Sequence, residues 1–132
     1  MKPNKFRKIC NKYFTADANF TVESTTDEND NVIAISVFFC GYGVLRYYSA
    51  DVVYRNKEKP YILVSDKFRY CEEQGKVLPC RNDGTFLGLW LDYTKLYNVG
   101  HNQLIKIILN IIEKIKIAKV EYKKKLIEKD FV

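Results

Sequence analysis

The feature that most constrains the fold is a long apolar stripe in residues 102–125. Large apolar side chains recur there three and four positions apart, as they do on one face of an α-helix. The stripe consists of Leu104, Ile108, Ile111, Ile115, Ala118 and Tyr122. Ile105, Leu109 and Ile112 widen it, so the first half of this helix is predicted to be buried and the lysine-rich second half to be half exposed. Such a helix requires a second apolar layer to cover it.

Residues 20–65 supply that layer, because β-rich segments alternate there with polar turns. Strands are predicted over residues 20–25, 32–40, 45–55 and 60–65, with turns at 27–31, 41–43 and 56–59. Both faces of the second strand are apolar, which indicates a central position. A short amphipathic helix over residues 6–13 precedes the strands.

Residues 66–100 show no periodicity and are predicted to form an irregular loop packed around its own aromatic side chains. At 132 residues the chain is long enough for one core, so residues 1–132 are interpreted as a single domain. The prediction is an α+β fold of two layers. Its order is a short N-terminal helix, a four-stranded antiparallel meander, an irregular loop and a long C-terminal helix packed on the sheet.

Composition narrows the classes of function. The net charge is +6, but the lysines are divided between the two ends and no nucleic-acid-binding motif is present, so nucleic acid is disfavoured as a partner. No apolar segment reaches the length of a membrane span and the first residues do not resemble a signal peptide, which predicts a cytoplasmic protein without a membrane partner. The four cysteines are widely spaced and there is one histidine, so we expect reduced thiols, no metal site and no cofactor.

The loop contains the most specific motif of the chain. Residues 76–90 read KVLPCRNDGTFLGLW, with Pro60 at the start of the fourth strand and Tyr93 before the long helix. The order of these features resembles the bacterial relatives of ubiquitin-conjugating enzymes over about residues 6–115. In that family the loop carries a Pro-His pair and, about eight residues later, a Leu-Cys-Leu whose cysteine holds the thioester. The resemblance implies the two-layer fold described above.

The chain departs from that family at both catalytic positions. Pro79 is followed by Cys80, and the Leu-Cys-Leu position reads Leu87-Gly88-Leu89, so Gly88 or, in a register shifted by one, Leu87 replaces the nucleophile. Neither can attack a carbonyl. No residue is therefore assigned a catalytic role, and the chain is interpreted as leaning away from enzymatic activity.

Cys80 is the alternative nucleophile. The neighbouring Arg81 could lower the pKa of the thiol, and Asn82 stands where the family places a polar residue that steadies the oxyanion. His101 would have to be brought to the thiol by the fold. The competing interpretation is an ordinary loop cysteine beside an ordinary Asn-Asp-Gly turn.

Three functions from different classes remain open. The leading one is a non-catalytic relative of ubiquitin-conjugating enzymes that binds another protein, for which the resemblance implies an activating enzyme or nucleotidyltransferase of a bacterial antiphage or conjugation-like system. The second is a small intracellular immunity or inhibitor protein that occludes a toxin or enzyme. The third is an enzyme that uses Cys80 as an acyl carrier. For binding, the predicted interaction surface consists of Tyr42, Tyr47, Tyr54, Tyr70 and Trp90.

Overall fold

The computed structural model describes residues 1–49, 59–86 and 93–130. Within these ranges it contains α1 (Pro3–Phe14), β1 (Phe20–Thr26), β2 (Val32–Phe39), β3 (Tyr42–Tyr48), β4 (Tyr61–Val64), β5 (Phe68–Cys71), β6 (Lys76–Pro79), β7 (Thr94–Tyr97) and α2 (His101–Asp130). Five strands form an antiparallel sheet in the order β1-β2-β3-β4-β7, and β5 pairs with β6 in a separate hairpin. The predicted α+β fold of two layers is confirmed.

Helix α1 extends the predicted segment at both ends. Proline occupies its first turn, where the missing N–H would have had no intrahelical partner. Phe6, Ile9, Cys10 and Phe14 recur at helical spacing and are all buried. This spacing gives the helix one apolar face, which packs on β1 and β2.

The first three strands are joined by tight turns whose residues explain their geometry. The Asp27 carboxylate accepts hydrogen bonds from the backbone N–H groups of Asn29 and Asn31, at 2.8 and 3.0 Å, which closes the β1–β2 turn. Between β2 and β3, Cys40 and Gly41 both have positive φ, 51° and 85°. Two such residues form the two-residue hairpin turn that matches strand twist. The turn therefore lies at residues 40–41 and not at the predicted 41–43, since β3 already begins at Tyr42.

The prediction of an irregular loop over residues 66–100 was wrong in part. Gly75, with φ of 69°, closes the hairpin of β5 and β6, and β7 pairs with β4 to complete one edge of the sheet. Each of these three strands has four residues. Segments this short carry two apolar positions at most on one face, too few to establish a period of two.

The core lies between the sheet and the two helices. One face of the sheet contributes Ile35, Val37, Phe39, Leu45 and Ile62 to a single buried cluster with both helices. Phe14, Phe20 and Phe39 connect the layers through ring contacts with centroid distances of 4.7 and 4.8 Å. Aromatic packing of this kind adds to the stabilisation that burial alone provides.

Helix α2 has a buried face that we call the inner seam: Leu104, Ile108, Ile111, Ile115 and Ala118. The seam confirms the predicted stripe as far as Ala118, and Lys119 and Lys123 lie outside as expected. The prediction that the first half of the helix is buried all round was wrong at Leu109, which is 49% exposed. Among the described residues, no helix combines the length and the apolar character needed to cross a membrane.

Candidate functional site

Cys80, Arg81 and Asn82 lie together at the wall of a cavity of about 290 Å³. The loop that follows β6 forms one side, residues 66–69 at the start of β5 form the second, and the middle of α2 forms the third. The α2 residues at this cavity are Lys114, Ile117, Ala118 and Glu121. The fold therefore brings the loop against the helix about four to six turns from its N-terminus.

Backbone and side-chain hydrogen bonds hold this loop in one conformation. The Arg81 N–H donates to the Thr85 carbonyl at 2.8 Å, and the Gly84 N–H donates to the Arg81 carbonyl at 2.9 Å. Thr85 donates to the Asp83 carboxylate from its N–H and from its hydroxyl, and these bonds hold the pKa of Asp83 below its ordinary value. Arg69 Nη1 donates to the Gly84 carbonyl at 3.1 Å. The turn interpretation of Asn82-Asp83-Gly84 is thus confirmed.

The expected activation of Cys80 by Arg81 is not present. Burial raises the pKa of the Cys80 thiol above its ordinary value, and this outweighs the lowering effect of Arg69 and Lys67. The cations that act on the thiol therefore come from β5 and the residue before it, since Arg81 is not among the groups that shift this pKa. At neutral pH the thiol is protonated and a poor nucleophile.

His101 does not assist Cys80. It is exposed and forms the first residue of α2, whereas the cavity that contains Cys80 begins at Lys114 on the same helix. At about 1.5 Å rise per residue, these positions are about 20 Å apart along the helix axis. The fold therefore does not bring His101 within the hydrogen-bond reach of the thiol that a helper in proton transfer requires.

The predicted tyrosine surface divides among different environments. Tyr47 is 5% exposed, stacks on Phe6 with a centroid distance of 5.1 Å and donates from its hydroxyl to the Met1 carbonyl, so its prediction as a surface residue was wrong. Tyr42 is partly buried, and its hydroxyl accepts a hydrogen bond from Gln74 Nε2 at 2.7 Å. Tyr54, Trp90, Leu87 and Gly88 lie outside the described residues.

Tyr70 takes part in a contact that the sequence did not reveal. Its ring stacks on Tyr122 of α2 with a centroid distance of 3.4 Å and an interplanar angle of 13°. The hydrogen bond with the Tyr122 hydroxyl raises the pKa of Tyr70 above its ordinary value. The two rings lie at a second cavity of about 560 Å³ between the hairpin turn and the C-terminal half of α2. Tyr122 was predicted only as a core residue, and nothing in its spacing identified this role.

A second apolar surface lies on the solvent side of α2. We call it the outer stripe: Leu109, Ile117, Val120 and Ile127, which are between 44% and 58% exposed. Val120 follows Leu109 by 11 positions, about three helical turns, and Ile127 follows Val120 by 7 positions, about two turns. The three side chains therefore lie on one side of the helix. Sequence reasoning placed Leu109 in the buried first half and assigned no role to the other three residues, so it missed the outer stripe, although its members fall outside the spacing of the inner seam.

The described parts of the chain contain neither a disulfide nor a candidate metal site. All four cysteines are unpaired, and no group of three or more His, Cys, Asp or Glu side chains could hold a metal ion among the described residues. Comparisons of this chain with protein-family models, curated proteins and solved structures found no match.

Proposed function

We propose that this protein acts by binding another protein without covalent catalysis, and that it binds through the outer stripe of α2. One observation supports this most strongly. Seven large apolar side chains are exposed among the described residues, and four of them form the outer stripe of α2. Because isolated exposed apolar residues are ordinary but their concentration on one element is not, the helix is the preferred place for a partner.

The geometry of the outer stripe suits an elongated contact. Leu109 and Ile127 are about 27 Å apart along the helix axis, at about 1.5 Å per residue. Among the described side chains, those that follow Tyr122 are all exposed. The last two turns of the helix therefore offer apolar residues to solvent where the body of the protein does not cover them.

The charges around the outer stripe identify the chemistry of the partner. Lys116, Lys123 and Lys124 lie beside its apolar residues and are exposed, with Glu113 as an acidic residue on the same side. A complementary surface would combine apolar side chains with carboxylates, because opposite potentials favour association and like potentials oppose it. The proposed occupant is an acidic protein with an apolar groove or helix.

The environment of Cys80 supports a non-covalent role. Its pKa is raised by burial and His101 lies about 20 Å along α2 from the cavity. We also propose that the chain is a non-catalytic relative of ubiquitin-conjugating enzymes. The order of α1, the antiparallel sheet and a later helix supports it, and it would make an activating enzyme or a nucleotidyltransferase the partner.

The first experiment tests the outer stripe. Tagged wild-type protein and Val120→Asp are used to isolate a partner, and the purified partner is then titrated with each by calorimetry. Val120→Asp should weaken binding at least about tenfold, because a carboxylate is placed in an apolar contact beside acidic groups of the partner. The control is Thr21→Asp, which adds the same charge at an exposed position of β1.

Two results would contradict this assignment. Equal affinity of Val120→Asp and wild type would place the contact elsewhere. A wild-type protein that dimerises alone, with a monomeric Val120→Asp, would show that a second copy covers the outer stripe. Binding to an acidic partner should also weaken with added salt, since the proposed lysine contacts are exposed to screening.

The second experiment tests the absence of covalent catalysis. Wild type and Cys80→Ser are incubated with a charged activating enzyme, and adducts sensitive to reducing agent are detected by gel mobility. We expect none on either protein, because the Cys80 thiol is protonated and partly buried. An adduct on wild type that Cys80→Ser abolishes would establish Cys80 as an acyl carrier and overturn the proposal.

A further inference from the structure

The cavity beside Cys80 is lined by Arg81, whose guanidinium has one N–H without an acceptor among the described residues. Arg81 Nε is buried, and no hydrogen-bond acceptor for it is present in the part of the chain that the structure describes. Buried N–H donors are almost always paired in folded proteins, so an unpaired one indicates an acceptor that the described part of the chain does not supply. This donor belongs to a residue at the wall of a cavity that is open to a ligand.

The charges of the cavity favour an anion as that acceptor. Four cationic side chains line it, against the carboxylates of Asp66 and Glu121. The cations are Lys67, Arg69, Arg81 and Lys114. Because burial keeps the Cys80 thiol protonated, that sulfur adds no negative charge at neutral pH. The balance in the cavity is therefore positive.

The loop holds the backbone of Arg81 in a fixed position. Its N–H and carbonyl are both hydrogen-bonded within the turn, to Thr85 and Gly84, and Arg69 bonds the Gly84 carbonyl from outside. Cys80 N–H is bonded to the Lys67 carbonyl at 3.0 Å, which ties the loop to the residue before β5. A loop backbone held in this way loses little freedom when a ligand binds, which increases affinity.

We propose that this cavity is an oxyanion-binding site in which the Arg81 guanidinium donates to a phosphate or carboxylate oxygen, with Lys67 and Lys114 as further cationic contacts. The guanidinium fork suits both ligand classes, since it can donate to two oxygens of one group. The cavity of about 290 Å³ accommodates such a group together with several waters, each of which occupies about 30 Å³. The site adjoins the outer stripe at Ile117, but its ligand is a small anion and not the proposed protein partner.

The experiment is a titration of the full chain with inorganic phosphate and, separately, with sodium acetate. The Nε–Hε signal of Arg81 is followed by heteronuclear NMR at constant ionic strength, with chloride as the balancing anion. A saturable shift of this signal in phosphate or in acetate supports the site and identifies the ligand class. No saturable shift with either anion, or one matched by chloride, overturns it.

Two variants distinguish binding by Arg81 from general attraction of anions to the positive charge of the protein. Arg81→Gln should reduce the affinity for the preferred anion at least tenfold, whereas Lys8→Gln, which removes the same charge from an exposed position of α1 outside the cavity, should change it less than twofold. Equal losses in the two variants would show non-specific attraction and contradict the site.

A second readout does not depend on the Arg81 variant. Cys80 lines the same cavity, so a bound anion should slow its alkylation at least threefold while leaving that of Cys40 unchanged. Unprotected Cys80 at saturating anion would contradict the proposal even if Arg81→Gln did not fold. Because no protein partner is used, failure here leaves the proposal for the outer stripe unaffected.

Discussion

The two sides of helix α2 have similar side chains and different surroundings. Ile111 and Ile115 of the inner seam are 0% and 3% exposed, whereas Ile117 and Val120 of the outer stripe are 44% and 50% exposed. The first pair contributes to stability through burial, while the second pair contributes little to it and remains available for contact. Apolar content alone therefore does not tell which face of a helix stabilises the fold.

The comparison is tested most strongly by the same substitution on the two sides. Ile111→Ala should lower the free energy of unfolding by about 2–5 kcal/mol, because it removes buried methyl groups and leaves a cavity. Ile117→Ala should cost less than about 1 kcal/mol, because its side chain is already 44% exposed. Urea unfolding of both variants provides the measurement. Similar losses at the two positions would show that the two sides do not differ as described.

Some elements of the fold could be predicted from the sequence and others could not. The inner seam, α1 and the first two strands were predictable because their apolar residues repeat over eight or more positions or alternate clearly between polar turns. The hairpin of β5 and β6 was not, although Gly75 marked its turn and Phe68 and Tyr70 alternate with Arg69. Four-residue strands give too few repeats, and their pairing depends on contacts with α2 that no local pattern encodes.

The candidate site shows the same limit. The turn at Asn82-Asp83-Gly84 was predictable, because Asp and Gly have local preferences for such backbone. The distance between Cys80 and His101 was not, since it depends on where the loop meets α2. The error at Tyr47 had another cause: tyrosines fall on both faces of the third strand, Tyr47 on one and Tyr48 on the other, so alternation alone did not show that Tyr47 faces α1.

A pH titration sharpens the contrast between the core and the surface. Burial raises the pKa of the Cys10 thiol from 9.0 to about 12 in the folded protein. Above pH 9 the unfolded chain releases this proton and the folded one retains it, so stability should fall from about pH 9 to 12. At about 1.4 kcal/mol per pKa unit, the loss is at most about 4 kcal/mol.

The control for this loss is Cys10→Ala, which removes the thiol. Burial also raises the pKa of Tyr47 and Tyr93, so the wild-type slope contains their contributions. Urea unfolding of both proteins between pH 8 and 11 gives the difference that belongs to Cys10. If the two slopes are the same, the thiol is not as buried as the core described here requires.

A smaller effect is expected where the loop meets α2. Gly84 has φ of 85°, and a Cβ built there lies 2.6 Å from Arg69 Nη1. Gly84→Ala should therefore cost about 1–2 kcal/mol for the left-handed backbone, plus part of the hydrogen bond from Arg69. Gly41→Ala is the matched control, with the same φ of 85° and nothing within 4 Å of the added Cβ. Thermal unfolding should show the larger loss at Gly84, and equal losses would mean that Arg69 moves freely.

The smallest effect should occur in the middle of the outer stripe. Val120 is 50% exposed, so Val120→Ala removes little buried area, and alanine is the better helix former by about 0.5 kcal/mol. The two contributions nearly cancel, and the free energy of unfolding should change by less than about 0.5 kcal/mol. Urea unfolding at two protein concentrations, one a hundred times the other, provides the measurement. A loss above 1 kcal/mol at both concentrations would show that Val120 is covered within the chain, and a loss only at the higher one would show that a second copy covers it, because association stabilises a folded protein by mass action. Either result would remove the outer stripe as a free surface, whereas an unchanged stability leaves Val120 exposed and available to a partner.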